Sequence, residues 1–258
     1  MSPEKIIKRQ AREALKGNAV TLIAAAGAVL LTALLLNYLN ITTVFLLESN
    51  GVLGTAPQSP GHIIVKFCYG AALMLLSPLF NGCLRMAASV ARGRQCCANE
   101  LFFFFGTAHR YSKTLVIDMI LLLYLTPCAA IMAAGEYAGT VLAEQLPAWE
   151  YSANLFPALT GIVAALICVP ILAVFVHYPL AAYALNENIP IEHCVFLMIA
   201  FSARNLGKTL RLVFSFAGWA ALCFFVLPAL YVIPYFAVTS IQSAKWLFEL
   251  EENRGIAE

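Results

Sequence analysis

Apolar residues run without a charge over 17–47, between Lys16 and Glu48, and over 67–84, between Lys66 and Arg85. A third run, 114–135, holds one charge, Asp118; a fourth fills 153–185, and the last covers 212–244. A helix rising about 1.5 Å per residue needs about 20 apolar residues to cross a hydrocarbon core of about 30 Å. Each run therefore predicts a membrane-crossing helix. The first exceeds the roughly 7–15 apolar residues of a signal peptide and reads as a retained span. The last is longer than one crossing requires, and Pro228 and Pro234 in its middle each disfavour helix at the residue before. It splits into two spans, with one bent helix as the alternative. The pattern thus predicts an all-α polytopic membrane helix bundle in a single integral membrane domain, 1–258. Its six spans are about 19–47, 67–84, 114–135, 153–185, 212–229 and 232–249.

Composition agrees. Of 258 residues, 61% are hydrophobic and 12% charged, against about 25% charged in soluble domains. So few charges cannot clothe a water-soluble surface, which excludes a soluble enzyme, a disordered regulator and a secreted disulfide scaffold. The charges are also unevenly placed. Lys5, Lys8, Arg9, Arg12 and Lys16 precede the first span; Arg85, Arg92, Arg94, Arg110 and Lys113 join the second to the third; Arg204, Lys208 and Arg211 join the fourth to the fifth. The opposite loops, 48–66 and 136–152, hold Lys66 as their single Lys or Arg, with Glu48, Glu136, Glu144 and Glu150. By the positive-inside rule the N-terminus is cytoplasmic, and six spans return the C-terminus to the same side.

The spans pair into three hairpins, each led by a cytoplasmic interfacial segment. Pro3 opens a helix over 3–16 with Ile7, Ala11, Ala14 and Leu15 on one face. Glu100, Leu101 and the run Phe102 to Phe105 precede the third span; Ile191, Cys194, Val195, Met198 and Phe201 precede the fifth. The even-numbered spans carry Pro78-Leu79, Pro179-Leu180 and Pro234-Tyr235. Basic residues beside apolar faces suit an anionic leaflet; the same segments also serve as a collar around helix ends. Anionic membrane lipids on the cytoplasmic side are the expected partners.

Little chemistry is encoded. Asp118 is the one acid well inside a span, and such carboxylates are functional candidates by default. Arg85 or Arg211 is positioned to neutralise it. Asn81 and Arg85 stand four apart with Ser77 one turn earlier, and Thr239, Gln242, Ser243 and Trp246 follow helical spacing. Asp118, Arg85, Asn81 and Gln242 are the candidate polar cluster: they either glue helices together or line a hydrated path. Cys96 and Cys97 lack metal-ligand spacing. No protease, esterase, Walker or dinucleotide motif occurs; Gly207-Lys208-Thr209 ends like a Walker loop, but Phe201-Ser202 stands where its first glycine belongs. We expect no catalytic residue, cofactor, metal or nucleic-acid partner.

Ser202-Ala203-Arg204-Asn205-Leu206-Gly207-Lys208, then Ser215-Phe216 and Gly218-Trp219, then Pro234-Tyr235, resemble the C-terminal half of a bacterial membrane family catalogued as domain of unknown function 975. Ala11-Arg12, Leu15-Lys16-Gly17-Asn18 and Ala91-Arg92-Gly93 resemble that family too, although Trp246-Leu247-Phe248 departs from its aromatic ending in Tyr. The resemblance implies six spans in a bacterial cytoplasmic membrane and carries no activity. Independently of it, Gly218 is suited to close helix approach and Trp219 to packing. The function expected is non-enzymatic, structural or in membrane homeostasis, through lipid or partner contact. The alternative is a small-solute or lipid transporter.

Overall fold

The computed structural model describes residues 3–53, 60–124, 126, 130, 133, 134, 137, 141, 175–216, 218, 219 and 226–255. Every regular element among them is helical. Most of the predicted fourth span, the outer half of the third, the 142–152 loop and residues 220–225 of the fifth lie outside the described residues. The chain divides into two compact units: Met1–Asp118, Leu180–Ile189 and Gly218–Glu258 form one, Met119–Pro179 and Pro190–Ala217 the other.

In the first unit, α1 is Pro3–Leu15, α2 Ala19–Ser49 and α3 Pro60–Ala91. A 3₁₀ helix follows at Ala98–Phe105, and α4 begins at Ala108 and ends at Tyr124. Helix α5, His177–Leu185, enters this unit at Leu180. The last helix of the chain, Val226–Gly255, also belongs here.

Among the described residues two helices, α2 and α3, are long and apolar enough to cross a membrane, with mean hydropathies of 2.5 and 1.9 over their most apolar stretches. Only 11% of the most apolar stretch of each is buried within the protein, whereas a core helix of a soluble protein would be covered. Leu31, Leu34, Leu35 and Phe45 on α2, and Ile63, Ile64 and Phe67 on α3, all face outward. Helix α3 is longer than the predicted 67–84 and includes Lys66 and Arg85. A charge marks the edge of an apolar run, but it does not interrupt backbone hydrogen bonding. Where α2 meets α3, His62 Nε2 lies 2.8 Å from Glu48 Oε1.

The N-terminal half of α3 is bare and the C-terminal half is covered. Pro78, Leu79, Asn81, Gly82, Met86, Ala87, Ala88, Val90 and Ala91 are all buried there. Its principal cover is the 3₁₀ helix. A β-carbon on Gly82 would strike the carbonyl oxygen of Leu101 and lie 2.7 Å from the carbonyl carbon; only glycine permits this approach. Helix α3 then stops in a Schellman motif: Arg94 N–H donates to Ser89 O (3.0 Å), Gly93 N–H donates to Val90 O (2.9 Å), and Gly93 takes φ +74°. The predicted lipid-facing aromatic run divides in two. Phe102 and Phe105 are exposed, while Phe104 is fully buried and stacks on Tyr183 with ring centroids 5.0 Å apart.

Helix α1 has the predicted apolar face, with Ile7, Ala11 and Leu15 buried. That face packs against the last helix and, to a lesser extent, α3. The exposed side carries Lys5, Arg9, Arg12 and Lys16. Burial lowers the pKa of Lys8 below the usual lysine value, with Glu4 opposing.

In the second unit, α6 is Ile191–Phe196 after Pro190, Leu197–Phe201 form a π-helical turn, and α7 is Ser202–Phe214. The predicted inward residues Cys194, Met198 and Phe201 are buried. Ser202, Asn205 and Thr209 are buried on α7, and their side chains donate to the carbonyls of Leu197, Phe201 and Asn205. Tyr178 and Thr209 hydroxyls hydrogen-bond, and Tyr178 meets Phe201 edge-on at 4.8 Å. Gly207, Lys208 and Thr209 lie inside α7, so they form no phosphate-binding loop.

The last helix, α8 (Val226–Gly255), departs from the predicted division at 229 and 232. It is continuous from Val226, with Pro234 inside it. Residues 226–229 therefore belong to this helix instead of the preceding span. A proline inside a helix removes one hydrogen bond and can kink it without ending it, particularly where neighbours cover the site.

Candidate functional site: a basic cluster where α3 ends and α4 begins

Arg85, Ser89 and Arg92 follow one another at helical spacing along and just beyond the end of α3. Arg110 and Lys113 stand on the first turns of α4, where Thr107 Oγ1 accepts a hydrogen bond from Arg110 N–H (3.3 Å). The turn after α5 places Glu187 among them. Its carboxylate is shared by two guanidiniums: Arg85 Nη1 lies 3.5 Å from Oε2 and Arg110 Nη2 lies 3.3 Å from Oε1. Its main-chain carbonyl accepts Lys113 Nζ at 2.6 Å. Both guanidiniums lie against the Phe103 ring, Arg85 at 3.5 Å and Arg110 at 4.2 Å from its centroid, an arrangement favoured by the ring quadrupole.

Two cations thus share one carboxylate, and a third, Lys113, is directed at a neutral acceptor. Thr107, His109, Arg110, Lys113, Glu187 and Asn188 enclose a cavity of about 350 Å³. Arg92 donates to the carbonyl of Leu185, the last residue of α5, where a cation suits the negative end of the helix dipole. Burial, then repulsion from Arg94 and Arg85, draws the Arg92 pKa below the usual arginine value, with Glu100 opposing.

Aromatic packing holds the platform. Thr114 Oγ1 donates to Arg110 O (2.8 Å), which uses its proton, so the Tyr183 hydroxyl 2.9 Å away is the donor to Thr114. Tyr183→Phe is expected to lower stability by about 1 kcal/mol, the usual net contribution of one internal hydrogen bond. Thermal unfolding of the detergent-purified protein measures it, and an unchanged midpoint would show that the bond contributes nothing.

Two members of the predicted polar cluster, Asn81 and Asp118, are joined directly. Asn81 Nδ2 donates to Asp118 Oδ2 at 2.8 Å and to Ser77 O at 3.4 Å. Arg85, expected beside Asp118, instead joins Glu187. Gln242 is on α8, and its Oε1 has no hydrogen-bond partner among the described residues. One turn before Pro78, Tyr111 Oη donates to Leu75 O (3.0 Å), supplying a donor where the proline interrupts α3. Of the family-like residues, Trp219 meets Tyr235 edge-on at 6.3 Å, and the Tyr235 hydroxyl donates to Lys8 O (3.4 Å). Pro234 lies in the helix that presents Tyr235. Ser215 donates to Leu212 O and Phe216 is buried. Among the described residues, a β-carbon on Gly218 would meet nothing within 4 Å.

Sequence reasoning treated Arg110 and Lys113 as markers of orientation, gave Arg85 to Asp118, placed Phe103 only in an interfacial run, and passed over Glu187. The available signal for Glu187 was an acid in a connection otherwise read as basic. Among the described residues, no group of three His, Cys, Asp or Glu side chains is placed to hold a metal ion. Comparison of the chain with models of known families, with curated proteins and with solved structures gives no match.

Proposed function

We propose that the chain is a non-enzymatic multi-pass protein of a bacterial cytoplasmic membrane, with six spans and both termini in the cytoplasm. Its role is structural or in membrane homeostasis, exercised through contact with anionic lipid. The carrying observation is the cluster of Arg85, Arg110 and Lys113 around one acidic residue, Glu187, beside a 3₁₀ helix that exposes Phe102 and Phe105. Cations next to outward aromatic rings suit the headgroup and acyl boundary of an anionic leaflet, each basic residue contributing about 1 kcal/mol near the surface. The engagement of Arg85 by Glu187 and of Asp118 by Asn81 supports this reading over a transport path lined by free polar groups.

Lipid analysis tests it. Protein extracted in native membrane discs should carry more anionic lipid than the bulk membrane. A composition equal to the bulk would remove the basis for the lipid-contact role.

Orientation has its own test, through Cys97. This thiol is exposed between α3 and the 3₁₀ helix, whereas Cys96 is buried and burial raises its pKa. A membrane-impermeant maleimide should label a variant retaining Cys97 alone in inside-out vesicles but not in intact spheroplasts. A variant retaining Cys96 alone should react more slowly, because the thiolate is the nucleophile. Labelling of Cys97 from outside would overturn the orientation.

A further inference from the structure

We propose that the cavity at the head of α4 is a binding site for a phosphate group, held by Arg110 and Lys113. This rests on the lipid-contact reading and narrows it to one site and one chemistry. At about 350 Å³ the cavity accommodates a phosphate with a small polar body such as glycerol, at the lower end of the volumes typical of ligand sites. Its wall supplies what a phosphate needs. Arg110 brings a guanidinium fork suited to two phosphate oxygens, and Lys113 brings a point charge. Glu187 does not cancel them. Its carboxylate is divided between Arg85 and Arg110, and it meets Lys113 through a carbonyl. An entering anion therefore meets net positive charge, with Glu187 and the Phe103 ring orienting the two guanidiniums. The side chains of Thr107 and Asn188 on the same wall suit hydroxyls of the attached polar body.

A lipid headgroup and a soluble phosphate ester present the same chemistry, so the experiment separates them. Full-length protein in discs of phosphatidylcholine is titrated with glycerol 3-phosphate, followed by phosphorus NMR line broadening. In parallel, detergent-purified protein is mixed with vesicles of phosphatidylcholine containing phosphatidic acid, and co-flotation is measured. Lys113→Gln is expected to weaken binding about tenfold, as loss of one charge-assisted hydrogen bond implies. Lys113→Arg should restore most of it. Lys16→Gln at the exposed turn after α1, with the same loss of charge, should change binding less than twofold, given screening at about 8 Å in physiological salt.

Lys113-dependent response in both arms supports the site for either source; response only to vesicles assigns the lipid headgroup, and response only to glycerol 3-phosphate assigns a soluble ester. Failure of both probes to bind, or binding indifferent to Lys113→Gln in a variant with unchanged circular dichroism and melting, overturns the site. If Lys113→Gln fails to fold, Arg110→Lys decides: loss of the guanidinium fork should weaken binding several-fold, and binding as tight as wild type overturns the site. Enrichment of anionic lipid in native discs that is identical for wild type and Lys113→Gln would leave the general lipid contact standing and remove this site. Phosphate binding without such enrichment would do the reverse.

Discussion

Gly82→Ala is expected to detach the 3₁₀ helix from α3 and to lower the unfolding midpoint more than alanine at any outward glycine of α2 or α3. The added methyl would overlap the carbonyl of Leu101. Both colliding groups belong to backbone, so no rotamer change relieves them, and one helix must move. Overpacking of this kind costs about 1–3 kcal/mol or more. The movement would carry Leu101 and Phe104 out of their buried positions and disturb the Phe103 surface against which Arg85 and Arg110 lie. Gly27→Ala and Gly70→Ala are the controls. Neither would meet an atom within 4 Å, and alanine in a helix interior is favoured over glycine by about 0.5–1 kcal/mol. Thermal unfolding in one detergent, together with maleimide reactivity at Cys96, reads both effects. Equal midpoints for Gly82→Ala and Gly70→Ala would show that the close approach does not exist.

Asn81→Leu is expected to cost more than Asp118→Asn, although the latter removes the charge. Asn81 is 3% exposed and donates to Asp118. Leucine would abolish the donor and leave a carboxylate facing apolar side chains, at a cost of about 1–3 kcal/mol, more if it stays charged. An amide at 118 still accepts from Asn81, so Asp118→Asn should be mild. Replacing both by leucine should cost less than the sum of the single leucine changes, with a coupling of about 0.5–3 kcal/mol in a double-mutant cycle. Strict additivity would show that the two residues do not interact. Asp118→Asn also bears on mechanism. An unchanged cellular phenotype would count against proton coupling through this carboxylate; a lost phenotype in a normally stable variant would revive the transport reading.

The apolar runs before Glu48 and after Lys66 were legible because a span must satisfy its own backbone hydrogen bonds, which any long charge-free stretch can do as a helix. The amphipathic spacing of Ile7, Ala11 and Leu15 was legible for the same local reason. Helix ends were less so. Helix α3 passes through Lys66 and Arg85 because charge marks the edge of an apolar run and leaves backbone hydrogen bonding intact. Helix α8 runs through Pro234 because a proline removes a single backbone donor.

Pairings between distant segments were not legible. Position made Asp118 the natural partner for Arg85, yet the turn after α5 delivers Glu187 to the guanidinium, and Asp118 is satisfied by an amide from the adjacent helix. Nothing in the local pattern singled out Gly82, yet there a helix backbone meets the carbonyl of Leu101. Such outcomes depend on where separate helices come to rest, and no local pattern records that. By itself the sequence determined where helices form and where the scarce charges lie, since both follow from the nearest few residues and the hydropathy of a run. The tertiary structure decided which charges meet. It gathered two guanidiniums around one carboxylate and one aromatic ring, because a charge withdrawn from water demands a partner and the available partner came from a distant part of the chain.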